Sequence, residues 1–194
     1  MEALGVDLLT IAGHKIYAPK GIGALYIRHG VKVESLIHGA SQEKGVSPGT
    51  ENVIHIVGLG KAHEIALRDF TKNHQKMLSA RDALLEGLRN KLGSQITVNA
   101  DLQHCLPNTL SIAFENVEAH ALSEAIGNDV FISTGSACHA DAIEVSSVLK
   151  AMHIDHKVAA GTVRMSTGKY TSSEEIDWAV KIISSAVKKL SQFK

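Results

Sequence analysis

Between Ile96 and the carboxyl end, short apolar runs alternate with stretches of helical period, and this alternation constrains the fold more than any other feature of the chain. The runs Ile96 to Val98, Thr109 to Phe114, Val130 to Ser133 and Thr162 to Ser166 read as strands. Helices are expected between them, over Ala119 to Ile126 and Val145 to Met152. A last helix is announced by Ser172 and Glu175, spaced as a capping box, ahead of one apolar stripe: Ile176, Ala179, Val180, Ile183, Val187 and Leu190. A sheet interleaved with amphipathic helices buries one face beneath them, so this region is expected to form a compact α/β unit.

Upstream, Val6 to Ile11 and Gly23 to Ile27 read as two strands joined by a connection rich in Gly, Pro and Lys, from His14 to Gly21. The chain enters the first run within five residues, as though it began in the middle of a larger domain. From Gly39 to Asn52 the sequence is polar, Gly-rich and aperiodic, which predicts a long loop of the kind that usually carries function. Ala62, Ile65, Ala66, Phe70, Met77, Leu84, Leu85, Leu88 and Leu92 then recur at largely helical spacing, as one long or two abutting helices. A domain boundary is expected near Leu92.

With 194 residues, 44% of them apolar, the chain can bury one domain, or one domain and part of another. Twenty basic and twenty acidic residues cancel, so no single-sign field is offered to nucleic acid or to an anionic membrane. No apolar run approaches the roughly 20 residues that cross a bilayer. An intracellular protein is expected, cytoplasmic, or mitochondrial if a targeting segment precedes these residues. Two cysteines, Cys105 and Cys138, are too few for a disulfide scaffold and read as free thiols.

Three residues stand out chemically. Lys15 follows a strand in a tight turn, a position where partial burial would favour the neutral, nucleophilic amine and so make a Schiff-base lysine; the alternative is a solvated surface lysine. Cys138 lies in the small-residue run STGSACHADA, where a mobile thiol could be tuned by His139 and Asp141, or else is a small buried hydrophobe. Cys105 fits the buried reading better. Arg164, alone in an apolar and small-residue strand, suits a carboxylate held by its planar fork, or a structural ion pair to an acidic side chain. The pairs Cys138 with His139 and His153 with His156 match no metal-ligand spacing, so no metal is expected. GIGALY precedes a strand rather than opening a helix, which excludes it as a dinucleotide fingerprint.

Four collinear segments carry a resemblance. HKIYAPKGIGALYIR, QEKGVSPGTEN, STGSACHA and VRMSTGKYTSSEEID resemble, in order, the lysine segment, the QE and GTEN loop, the nucleophile loop and the substrate-arginine strand of the cysteine desulfurase and selenocysteine lyase family. CHAD at Cys138 to Asp141 and AGHK at Ala12 to Lys15 look closer to the selenocysteine lyases. The resemblance implies the carboxyl-terminal half of an aspartate-aminotransferase-type enzyme that uses pyridoxal 5'-phosphate. Residues 1–55 would be a remnant of the large cofactor domain, 56–92 a linking helix or helices, and 93–194 the small domain.

Carried across, Lys15 would bind the cofactor through its amine, His14 would hydrogen-bond the phosphate, and Thr50 would reach the phosphate of a partner subunit, implying a homodimer. Arg164 would grip the carboxylate of L-cysteine or L-selenocysteine. Cys138 would take the sulfur or selenium, leaving alanine, and pass it to an acceptor protein. The family's glycine triplet before QE reads Gly39, Ala40, Ser41 here; Ser47 replaces an arginine, and Ala12 a serine. Relatives of about twice this length carry the groups that stack on and protonate the cofactor ring elsewhere in the chain. The competing expectation is a noncatalytic truncated homologue that acts as a dimerisation or binding module.

Overall fold

The computed structural model describes residues 2–134, 138–139, 142–143 and 146–193, which divide into two compact units, Met1–Phe70 and Thr71–Lys194.

In the first unit, strand β1 (Leu8–Ala12) pairs antiparallel with β2 (Gly23–Ile27), Leu8 opposite Ile27 and Ala12 opposite Gly23. The strand starts two residues later than its apolar run, because Val6 and Asp7 are taken by Arg28: its guanidinium donates to the Val6 carbonyl at 2.9 Å and pairs with Asp7 at 3.0 Å. A 3-10 turn, Gly13–Ile16, links the strands and ends at Tyr17 in the left-handed region. Helix α1 (Val53–Arg68) is capped by Asn52, whose side-chain oxygen accepts from the His55 N–H. Leu59 and Ala62 of α1 pack against Ala18, with Ile16 and Ile22 beside them. At the point of approach Gly58 faces Pro19, where a Cβ would come within 3.0 Å of the ring.

The second unit holds a three-stranded antiparallel sheet in the order β3-β4-β7: Ile96–Val98, Thr109–Phe114 and Thr162–Ser166. Leu110, Ile112, Val163 and Met165 turn one face into the core, beneath α2 (Phe70–Leu92), α3 (Ala119–Ile126) and α6 (Ser173–Leu190). Leu84, Leu85, Leu88 and Leu92 supply the α2 stripe; Ile176, Val180, Ile183 and Val187 supply that of α6. These two helices meet at Gly87, where a Cβ would lie 2.7 Å from a Val180 methyl, so a larger residue there would have to displace Val180. The expected capping box is present: Ser172 accepts from the Glu175 N–H, and the Glu175 carboxylate accepts from the Ser172 N–H.

Two expectations need correction and a third is resolved. Of the two alternatives for the long helical stretch, the structure takes that of two abutting helices, which meet at Asp69. Val130 to Ser133 is no strand: Phe131 is exposed, and Ser133 alone pairs, as a bridge to Arg164. The helix expected over Val145 to Met152 is the single turn α4 (Ser147–Ala151), followed by an unexpected α5 (His156–Ala160) capped by Asp155. Five residues are too few to print a helical period. A two-residue hairpin, β5 (Cys138–His139) with β6 (Ala142–Ile143), precedes α4. Among the described residues no helix is long and apolar enough to cross a membrane.

Candidate functional site

Lys15 sits where the sequence places it, directly after β1, on a turn fixed from both sides. The Gly13 N–H donates to the Ile22 carbonyl at 2.9 Å, and the Ala18 N–H donates back to the Gly13 carbonyl at 3.0 Å. A Cβ at Gly13 would meet the Ile22 carbonyl oxygen at 2.7 Å, and one at Gly23 would meet that of Ile11 at 2.5 Å. These two glycines draw the strands together beneath the turn. His14 and Lys15 are both exposed rather than partly buried. Neither side chain makes a hydrogen bond or ion pair among the described residues. A primary amine and an imidazole are thus presented, uncommitted among the described residues, on a hydrogen-bonded turn, a donor set that fits an aldehyde cofactor bearing an anionic group.

The loop from Ser41 to Asn52 is organised by its own motif residues. The Gln42 carboxamide oxygen accepts from the Gly49 N–H at 3.1 Å and so ties the QE end to the GTEN end. Between them Glu43 and Lys44 take positive φ, and the Gly45 N–H donates to the Ser41 and Gln42 carbonyls. Asn52, the last motif residue, is the α1 cap and also contacts His55 Nδ1 at 2.6 Å. Gln42 and Asn52 are therefore structural supports, and Thr50 is left exposed between them.

In the second unit Arg164 lies on the face of β7 away from the core. Its strand neighbours are Ser111 in β4 and, through bonds of 2.7 and 3.0 Å, Ser133. Its side chain is exposed and makes no ion pair among the described residues, so the alternative of a structural ion pair finds no partner there. Cys138 lies on the β5 backbone opposite Ile143. It follows Ser133 by five positions, a span of at most about 18 Å. His14, Lys15 and Thr50 belong to the first unit, and Cys138 and Arg164 to the second.

Cys105 is half-buried rather than a plain core residue. Its thiol lies 3.2 Å from the buried Arg81 guanidinium and donates to the Leu102 carbonyl. Arg81 also pairs with Asp82 at 2.7 Å. The loop beyond Cys105's neighbour is held by Asp101, whose carboxyl lies below the ordinary aspartate range because it accepts from His104 and from the Gln103 N–H. No group of three His, Cys, Asp or Glu side chains that could hold a metal occurs among the described residues.

The sequence offered no signal for Asn99. It is buried just past β3, with its Nδ2 donating to Thr162 Oγ1 at 2.9 Å, a partner 63 residues away.

The pattern that describes class-V aminotransferases matches residues 1–178. The chain belongs to that family. Among its class-V relatives it is 38% identical over 192 residues to the cysteine desulfurase IscS of Actinobacillus succinogenes, covering 98% of this chain and 47% of that one. With the cysteine desulfurase IscS of Dictyoglomus turgidum it shares 38% over 191 residues, covering 98% and 48%. A solved NifS-like protein superposes with a TM-score of 0.86 at 37% identity, over 98% of this chain and 48% of the other. A NifS-like protein from Rickettsia africae superposes at 0.78 with 28% identity, over 96% and 49%. The α/β, aminotransferase-type fold expected from the sequence is thus the fold of this class-V chain, which spans about half the length of the curated relatives it matches.

Proposed function

We propose that this chain is the carboxyl-terminal half of a cysteine desulfurase that works with pyridoxal 5'-phosphate, its first residues belonging to the cofactor domain and residues 93–194 forming the small domain. The observation that carries the reading is the uncommitted Lys15 amine on its glycine-locked turn, in a chain 98% of which aligns with proteins named cysteine desulfurases.

Lys15 would hold the cofactor covalently, His14 would donate to its phosphate, and Thr50 would serve the phosphate of a second copy in a homodimer. When bound, the cofactor draws electrons from the substrate's α-carbon and so weakens the bond between Cβ and sulfur. Arg164 binds the substrate carboxylate and fixes the amino acid's orientation. The Cys138 thiolate attacks the substrate sulfur: a sulfur–sulfur bond forms, the Cβ–S bond breaks, and Cβ gains a proton. The products are alanine and a Cys138 persulfide, whose outer sulfur passes to an acceptor protein. The names of the relatives favour cysteine as substrate; L-selenocysteine is the alternative suggested by the CHAD residues around Cys138.

The test is to incubate the chain with pyridoxal phosphate, reduce with borohydride, and locate the adduct by peptide mass spectrometry. A stoichiometric adduct at Lys15, lost in Lys15→Ala and kept in Cys138→Ala, supports the reading. Scattered or absent labelling counts against a cofactor site in these residues. A second reading, a noncatalytic module that docks on another chain, draws on the exposed apolar side chains of the first unit, Leu36, Ile37 and Ile54 among them.

A further inference from the structure

The face of the second unit's sheet that looks away from the core carries one polar row running across the strands. Asn99 continues β3 by donating its N–H to the Ser111 carbonyl, Ser111 pairs with Arg164, and Arg164 bridges to Ser133. In-register neighbours share a face, so Asn99, Ser111, Arg164 and Ser133 lie side by side.

Asn99 is held in one orientation. The Thr162 hydroxyl donates to the Val158 carbonyl at 2.8 Å, which leaves its oxygen free only to accept, and the group it accepts from is Asn99 Nδ2 at 2.9 Å. Ser111 Oγ lies near the same Nδ2, at 3.4 Å. The amide is thereby turned so that Oδ1 carries no hydrogen bond, although Asn99 is only 7% exposed. A buried carbonyl oxygen without a donor is costly and uncommon. Two strands away on the same row stands Arg164, whose five guanidinium N–H donors also lack side-chain partners among the described residues. On the row between them stands Ser111, small enough for a long side chain to lie over. The distance to cross is about two strand spacings, roughly 10 Å.

We infer that Asn99 is a positioning residue for Arg164: when the guanidinium is laid across Ser111, Oδ1 is the acceptor that receives one of its N–H groups, which aims the remaining N–H pair at the substrate carboxylate. The inference rests on the reading of Arg164 as the carboxylate grip and adds a residue that sets where that grip points. Thr162 acts one step further back, by orienting Asn99.

Phenylglyoxal, an arginine-specific reagent, applied to the 194-residue chain tests this without any catalytic assay, the Arg164 adduct being quantified by peptide mass spectrometry. A hydrogen bond to a charged group is strong enough to shift an equilibrium by about tenfold or more, so Asn99→Ala, which frees the guanidinium, should react faster by about that factor. Equal rates in Asn99→Ala and the parent chain, with the melting transition retained, overturn the inference. Should Asn99→Ala fail to fold, the unsubstituted chain decides. A slowly exchanging Arg164 Nε–H or Nη–H in nitrogen-edited NMR is expected, and fast exchange of all of them overturns the idea. An Arg164→Lys variant with unchanged L-cysteine affinity in the cofactor-loaded protein would instead remove the carboxylate reading, so the two failures are distinct.

Discussion

The two units spend their apolar residues differently. In the second, Leu88, Ile112, Leu122, Val163 and Val187 are fully sequestered in one continuous core of sheet and helices. In the first, the buried set is Ala18, Leu59 and Ala62, while Leu36 stands 97% and Ile54 83% exposed. The second unit thus has one continuous apolar core, whereas in the first the buried cluster is small and the hairpin is joined by backbone hydrogen bonds and close glycine contacts. Stability and candidate cofactor chemistry are segregated: the amine of Lys15 is carried by the unit with the thinner core.

The sharpest way to break that comparison is a pair of truncations. Leu88→Ala should cost about 2–5 kcal/mol, because a fully buried leucine leaves a cavity, and Leu36→Ala should leave the denaturant midpoint where it was. Similar losses in both would mean that the first unit hides a core of its own. Next in size is Gly13→Ala. Forcing a Cβ against the Ile22 carbonyl should cost about 1–3 kcal/mol and, more tellingly, scatter the borohydride-trapped adduct away from Lys15 while the melting of the second unit is unchanged.

Smaller again is Ser172→Ala, which removes one half of the capping box and should lower stability by about 1 kcal/mol, read by urea unfolding of the α6 signal. The smallest effect is electrostatic and confined to a loop. Asp101 has its folded-state pKa depressed by His104 and the Gln103 N–H. Its contribution is therefore complete above the ordinary aspartate value of about 3.9 and is lost as pH falls through the lower folded value. The Gln103 amide resonance should shift in that acid window in the parent chain and stay flat in Asp101→Asn.

Much of the second unit could be read from its residues because its elements are regular. The α6 stripe with its capping box and the alternation in β4 and β7 are periodic signals written in adjacent residues. The run at Val130 to Ser133 misled because β-branched and aromatic composition favours a strand only where a partner edge exists, and Ser133 alone finds one. In the candidate site, Lys15 and Arg164 were visible as unusual residues in unusual surroundings. What stayed hidden was non-local: the exposure of both side chains, and the pairing of Asn99 with Thr162, which depend on strands brought together by folding. Two abutting helices were legible as an alternative, but not where they meet, since the helical pattern runs on through Asp69 with no Gly or Pro to mark the break.

The bond from Gln42 to Gly49 has a practical corollary. Because the loop closes on its own side chain and then delivers Asn52 to start α1, residues 41–52 form a cassette whose shape is specified internally. Such a cassette can be exchanged whole between relatives, both ends cut at the hairpin side and at the helix start, whereas swapping either half alone would separate the clasp from its catch.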